Sequence, residues 1–201
     1  MGKAGIRMSL VTLVRHGVTS WNLERRTQGH ANNPLDPIGI AQAKALAERL
    51  SKEEWDVLYA SDLMRARQTA ETVAETIGLD IIFDQRLREI GRGKLEGTTE
   101  EERIRIWGNN WRELDLNEEH PEFVAARGAG CIEEISNIHP NKKILVISHG
   151  ELMRLTLNKI IPDFNKQDGF GNTSVTQIRK AGGGWECVLY NCTDHLGKPV
   201  E

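Results

Sequence analysis

Two short apolar runs, Ser9 to Val14 and Ile144 to Ile147, each give way to a histidine followed by glycine: Arg15-His16-Gly17 after the first, Ser148-His149-Gly150 after the second. The runs are rich in branched residues, too short for helices and largely apolar, the pattern of strands buried on both faces. Such strands belong to parallel sheets covered by helices, and in those sheets ligands collect beyond the carboxyl ends of the strands. Both histidines therefore fall where a site is expected. Each glycine lets the backbone turn sharply and come close to a ligand, and the helices that follow can aim their amide-rich N-termini at an anion.

Helix and strand signals alternate along the rest of the chain. Asp36-Pro37 reads as an N-cap and first helical position, followed by Ile40, Ala43, Ala47 and Leu50 at helical spacing. Trp55 to Tyr59 reads as a short strand, and Ser61 as the N-cap of a helix striped by Leu63, Ala66, Ala70, Val73 and Ile77 and stopped by Gly78. Ile81 to Phe83 is a further short strand. Thr99 and Glu102 form a capping-box pattern that opens a helix running to about Leu114. A helix follows from Pro121 to about Ile138 despite Gly128 and Gly130, and another from Glu151 to Ile161, ended by Pro162. Ser174–Lys180 and Trp185–Tyr190 flank a glycine-rich turn. This alternation predicts an α/β fold: a three-layer sandwich with a mainly parallel central sheet and helices on both faces. No repeat, low-complexity tract or linker divides the chain, so one domain over residues 8–201 is expected, with residues 1–7 a leader or tail ahead of Met8.

A chain of 201 residues can bury a substantial core without staples. Its net charge of −3 offers no global attraction for nucleic acid or an anionic membrane, so any anion must be held by local cations. The three cysteines, without a CxxC pair, fit a reducing cytoplasm better than a disulfide framework. No apolar run is long enough to cross a bilayer, and Ile6 breaks the myristoylation pattern after Gly2. No HxxxH or comparable spacing suggests a metal site, and no cofactor is expected. The expected partner is a small phosphorylated metabolite; the oligomeric state is not legible.

Local cations are present. Arg15 precedes His16, and Arg65 falls in the first turn of the helix after Ser61. Two guanidiniums suit the planar, bidentate recognition of a phosphate. The stretch Leu13 to Asn22, then Gln28-Gly29, Ser61 to Ala70, Leu87-Arg88-Glu89, Glu96-Gly97, Ile147 to Gly150 and Asn172-Thr173-Ser174 appear in an order and at distances that resemble the histidine phosphatase superfamily, with its phosphoglycerate-mutase-like fold. The resemblance implies that His16 is the nucleophile that carries the phosphoryl group. It implies that Glu89 protonates the leaving oxygen and later activates water, and that Arg15, Arg65 and His149 form the charge clamp. Asn22 would bond the phosphate, joined on the substrate side by Thr19, Gln28, Gly29, Gly17 and Gly150.

Elementary chemistry agrees with those roles. An imidazole attacks phosphorus only when neutral, and flanking guanidiniums disfavour its protonation. The same guanidiniums balance the charge of the transferring group. Glu89, as an acid, should be partly buried or beside another carboxylate, and a bell-shaped pH profile is expected. The activity expected first is hydrolysis of phosphate monoesters, ahead of phosphoglycerate mutation, a catalytically silent phosphate-binding module and a metal hydrolase. The sequence departs from the family pattern at Val18, at Gly91 to Gly97, where Arg92 and Lys94 stand in a stretch that more often bears an aromatic, and at Glu119 to Glu122; these positions bear on substrate choice. His30, His120, His139 and His195 are read as surface residues. The five tryptophans are read as packing or rim groups, with Trp107 and Trp111 spaced to wall a pocket or, more simply, to fill a core.

Overall fold

The computed structural model describes residues 9–181 and 183–197; the segment read as a leader or tail lies outside them. In chain order the elements are β1 (Leu10–Arg15), α1 (Ser20–Leu23), α2 (Pro37–Leu50), β2 (Val57–Ala60), α3 (Met64–Ile77), β3 (Ile81–Phe83), α4 (Glu100–Trp107), α5 (Pro121–Ile138), β4 (Lys143–Ser148), α6 (Gly150–Ile160), β5 (Val175–Ala181) and β6 (Gly184–Cys192). The strands form one sheet in the order β3-β2-β4-β1-β5-β6. The pairs β1–β4, β2–β4 and β2–β3 are parallel, whereas β5 runs antiparallel to both β1 and β6. The sheet is therefore mainly parallel, with a hairpin on one side.

The largely apolar runs follow from burial on both faces. Val11 and Leu13 of β1, with Ile144 and Val146 of β4, pack with Val124, Cys131, Ile132 and Ile135 of α5 and Leu152, Met153 and Leu157 of α6. Val14, Leu145 and Ile147 point the other way, onto Leu46, Ala47 and Leu50 of α2 and Ala66, Ala70 and Val73 of α3. With successive side chains alternating between faces, a strand covered on both sides has few polar positions to spare; the exception in β1, the buried Thr12, accepts a bond from Gln177. The two clusters make the middle layer of a three-layer α/β sandwich.

Local expectations fare unevenly. Asp36 caps α2 by accepting from the Gly39 amide at 2.7 Å, with Pro37 in the first turn. Ile40, however, is exposed, and Leu46 takes the buried place on that helix. Ser61 does not cap α3: that helix begins at Met64 behind Leu63, and the Ser61 hydroxyl serves a histidine instead. The Thr99–Glu102 capping box forms, yet α4 stops at Trp107, because Gly108 at φ 82° ends it well before Leu114. α5 keeps the predicted bounds, and Gly128 is there for contact: a Cβ at that position would sit 2.0 Å from Thr156 Oγ1 of α6.

The loop after β1 is pressed against the start of α2. A Cβ on Gly39 would lie 2.0 Å from the Val18 carbonyl oxygen, and backbone cannot move aside as a side chain can. Gly39→Ala is therefore expected to destabilise the protein by about 1–3 kcal/mol, read as a lower urea midpoint with unchanged m-value. A midpoint equal to that of the wild type would show that the loop yields freely.

Candidate active site

The parallel strands end together. Arg15 of β1 registers with Ser148 of β4, and Ala60 of β2 with Ile147, so His16, His149 and Ser61 emerge side by side at the carboxyl edge of the sheet. Backbone bonds extend this alignment: the His16 amide donates to the Ser148 carbonyl at 3.0 Å, and the Ser61 amide to that of Ile147 at 2.9 Å. The two imidazole rings lie 5.2 Å apart between centroids.

His16 is 2% exposed. Its Nδ1 donates to the Gly17 carbonyl at 2.7 Å, which leaves Nε2 with the lone pair. That lone pair accepts from Arg65 Nε at 3.2 Å. Burial above all, then the Arg65 and Arg15 guanidiniums, hold the imidazole well below its ordinary value of 6.5, so the ring is neutral at neutral pH. Arg65 is fully buried, and its Nη1 and Nη2 each give one bond, to the carbonyls of Ala31 and Gly29 at 2.9 and 2.8 Å, which leaves a second N–H on each nitrogen. Burial brings its guanidinium down to about 10, still a cation at neutral pH. Arg15 donates to the Phe170 carbonyl, while its buried Nε has no partner among the described residues.

His149 is held from behind. Ser61 Oγ lies 2.8 Å from its Nε2 and also accepts from the Leu63 amide. The His149 Nδ1 is buried and also without a partner among the described residues. Burial, followed by the charges of Arg65 and Arg15 and the neighbouring His16, holds this imidazole well below its usual value too. The three residues read as a charge clamp are thus two guanidiniums and an imidazole held toward its neutral form. Sequence reasoning read Ser61 only as an N-cap and missed its contact with His149, because its position before a helix mimics a cap.

Glu89 is half-buried at the first turn of α6. Its carboxylate accepts from the amides of Leu152 at 2.9 Å, Ile90 at 3.0 Å and Glu151 at 3.3 Å. The N-terminus of α6 is therefore used by the protein's own carboxylate and not turned toward a ligand, and α1 is likewise closed by a capping box between Thr19 and Asn22. His16, Arg15, Arg65, Glu89, Asn22, Gln28 and Gly29 line one pocket of about 210 Å³, together with Arg26, Thr27, Arg92 and Glu151. Glu151 is held below the usual carboxylate range by its bond to Arg154. A larger cleft, about 550 Å³ and lined by Glu53, Trp55, Asp56 and Lys143, opens at the amino ends of β2 and β4, away from both histidines.

Three of the substrate-side positions lie behind the pocket wall. Thr19 is buried, and its hydroxyl is bonded to Asn22 Oδ1. Gly17 packs against Gly39, where a Cβ would meet a carbonyl oxygen at 2.6 Å, and Gly150 sits against the Arg15 side chain. Asn172 is a second residue without an assigned role in the sequence: its amide donates to the His16 carbonyl at 3.0 Å and reaches Asn22 Oδ1 at 3.4 Å. Of the other histidines, His30 and His120 are exposed, as read from the sequence, whereas His139 and His195 are partly buried. His30 contacts the Glu89 carbonyl at 2.8 Å, His139 the Tyr59 hydroxyl at 2.9 Å, and His195, half-buried, bridges Thr173 and Arg49; His120 is exposed beside Phe123.

The buried neutral imidazoles carry a consequence for stability. Below pH 6.5 histidines in the unfolded chain take up protons that His16 and His149 refuse in the fold, so stability falls as pH drops from 6.5 toward their folded values and is untouched by them above it. The Tm is expected to be level above about pH 7 and to decline between about pH 6.5 and 5, before most carboxylates titrate. A Tm that does not change across that window would contradict neutral burial.

Comparison with known proteins gives this geometry a lineage. Residues 11–193 match the histidine phosphatase superfamily, branch 1. The uncharacterized phosphatase PhoE of Bacillus subtilis is 32% identical, covering 94% of this chain and 97% of its own. The probable phosphoglycerate mutase GpmB of Escherichia coli is 36% identical over 77% of this chain and 75% of its own. The mycobacterial glucosyl-3-phosphoglycerate phosphatase, solved with VO3, superposes with a TM-score of 0.81 at 29% identity, covering 92% and 99% of the two chains. A sheet of this order, with paired histidines at its carboxyl edge and a match over nearly the whole length, makes this chain a member of the histidine phosphatase superfamily.

Proposed function

We propose that the protein hydrolyses small phosphate monoesters through a phosphohistidine at His16. The observation that carries this reading is the state of that imidazole: buried, neutral, with its lone pair at Nε2 and two guanidiniums beside it. Two buried nitrogens without partners among the described residues, Arg15 Nε and His149 Nδ1, support this reading, the first on a residue that lines the pocket and the second directly behind His16. When the ester binds, the Arg65 bond passes from His16 to phosphoryl oxygens, and Nε2 attacks phosphorus. The P–N bond forms as the P–O bond to the leaving group breaks, and Glu89 gives that oxygen its proton. Water then attacks the phosphohistidine while Glu89 takes up a proton, releasing phosphate and restoring His16. Catalysis rests mainly on preorganised charge, the principal task of a protein in phosphoryl transfer.

Because the folded His16 stays neutral well below 6.5, the acid limb of the expected bell-shaped profile should lie below that value, and not at the ordinary imidazole titration. A kcat/KM that falls with an apparent pKa near 6.5 would count against the assignment.

The likeness to a probable mutase favours a second reading, transfer of the phosphoryl group back to a phosphoglycerate. Mutases of the family usually carry a longer insertion between the acid and the late helix, and the modest span from Glu89 to Glu122 supports hydrolysis instead. Isomerisation that needs a bisphosphoglycerate primer and outruns phosphate release would reverse the order. Acid-labile labelling of the wild type, absent from His16→Ala, separates either enzyme from a silent binding module.

A further inference from the structure

Glu89 belongs to no helix or strand: it lies in the loop between β3 and α4. A loop carboxylate makes a poor general acid unless the main chain beneath it is fixed, because proton transfer demands hydrogen-bond reach to the leaving oxygen. That fixing comes largely from one side chain on α5. Arg127 Nη1 donates to the carbonyls of Arg86 and Arg88 at 2.8 and 2.7 Å, and Nη2 to the carbonyl of Glu89 itself at 2.9 Å. Nε and the second Nη2 proton go to the two carboxylate oxygens of Glu119, at 2.8 and 2.9 Å. Every N–H of the guanidinium is therefore used, most of them on the short stretch that ends at Glu89.

Glu119 completes the clamp. Its Oε2 also accepts from the Gly91 amide at 3.0 Å, and its own amide donates to the Gly91 carbonyl at 2.8 Å, so the loop is tied on the far side of Glu89 too. The bond to Arg127 holds this carboxylate below its usual range, which keeps it charged at neutral pH. Glu119 falls in the stretch read from the sequence as bearing on substrate choice; its bonds go to the acid's loop instead. The carbonyl of Leu87 accepts from Ser148 Oγ at 2.8 Å.

The carboxylate end of Glu89 is held by a different helix, through the first-turn amides of α6. α5 and α6 meet at Gly128, the residue after Arg127, where Thr156 leaves no room for a Cβ. One helix pair thus sets both ends of Glu89: α5 its main chain, α6 its carboxylate. The pocket wall includes Glu89 but neither Arg127 nor Glu119, so their influence on the reaction runs through the acid.

We infer that Arg127, oriented by Glu119, is a positioning residue for the acid: it sets where the Glu89 carboxylate stands relative to the leaving oxygen. The inference rests on the hydrolase reading above, in which Glu89 protonates that oxygen. Only a planar fork serves here, since a lysine ammonium has too few donors to hold the three carbonyls and both Glu119 oxygens together.

The test is the dependence of kcat/KM on the leaving group, measured with phenyl phosphates from dinitrophenyl to methoxyphenyl and with an alkyl phosphate. Dinitrophenolate departs without a proton whereas an alkoxide needs one, so a displaced acid slows only the poorer leaving groups. Glu89→Gln is expected to steepen this dependence. Arg127→Gln should steepen it in the same sense, with a loss of about tenfold or more on the alkyl ester and less than about threefold on the dinitrophenyl ester. Arg127→Lys should lose nearly as much as Arg127→Gln. Activity on the dinitrophenyl ester shows that a variant is folded; if Arg127→Gln does not fold, Glu119→Gln, which loosens Arg127 without removing it, gives the same comparison. Equal losses on every ester in these variants, no loss at all, or a wild-type slope in Arg127→Lys overturns the inference, while a steepened slope in Glu89→Gln leaves the acid reading standing. A Glu89→Gln slope equal to that of the wild type overturns that reading and the inference with it.

Discussion

His16→Ala is expected to lower turnover of any accepted monoester by about 10⁴-fold or more, and to remove the acid-labile phosphoryl label altogether. The size follows from the chemistry: without Nε2 there is no covalent intermediate, and what remains is a pocket of positive charge that binds phosphate without a nucleophile to use it. The fold should survive. His16 makes one bond through its ring to the Gly17 carbonyl and accepts one from Arg65, and a smaller side chain leaves the strand bonds of β1 intact. Phosphate binding should persist in the variant, since Arg15, Arg65 and His149 are unchanged. Single-turnover assays with quench-flow labelling measure both quantities. Residual turnover within tenfold of wild type would mean that the reacting group lies elsewhere.

The second large effect belongs to Arg65. Arg65→Lys keeps the charge but loses the fork, and kcat/KM is expected to fall about 10²–10³-fold, the range for removing one preorganised donor from a charged transition state. Three acceptors now share the native guanidinium: His16 Nε2 and the carbonyls of Gly29 and Ala31. An ammonium group cannot reach all three in the same plane, so one buried carbonyl loses its donor. Stability should fall too, by about 1–3 kcal/mol for an unsatisfied buried group. Kinetics on an unhindered aryl phosphate, with urea denaturation on the same samples, separate the two effects. A lysine variant as active as the wild type would show that charge alone suffices and that the planar geometry is incidental.

Much of the fold could be read before any coordinates. The two apolar runs could only be strands covered on both faces, and β1 and β4 proved to be neighbours in the sheet. Caps built from local residues were equally readable, as Asp36, Thr99 and Gly78 show, because an N-cap or a left-handed stop depends on residues within one turn. Errors arose where a distant partner outbid the local pattern. Ser61 has the look of a cap, but His149, 88 positions along, claims its hydroxyl. Ile40 fits the apolar spacing of α2, yet the rotation of that helix on the sheet is set by Ala43, Leu46 and Ala47, which fit more closely.

The same division applies to the site. Residue types and order along the chain were enough to name His16, His149, Arg15 and Arg65 as candidates, since each ends or follows a strand or opens a helix whose position is locally encoded, whereas Glu89 lies in a loop and was named only by the resemblance to the family. Their electrical states were not. Whether an imidazole is neutral, which nitrogen keeps its lone pair and which donors lack partners depend on burial and on charges brought together by the sheet, none of which has a signature in a linear string. Sequence decided which groups this protein can use; tertiary structure decided their charge and their company, because electrostatic energy depends on distance and dielectric, and both are properties of the folded solid.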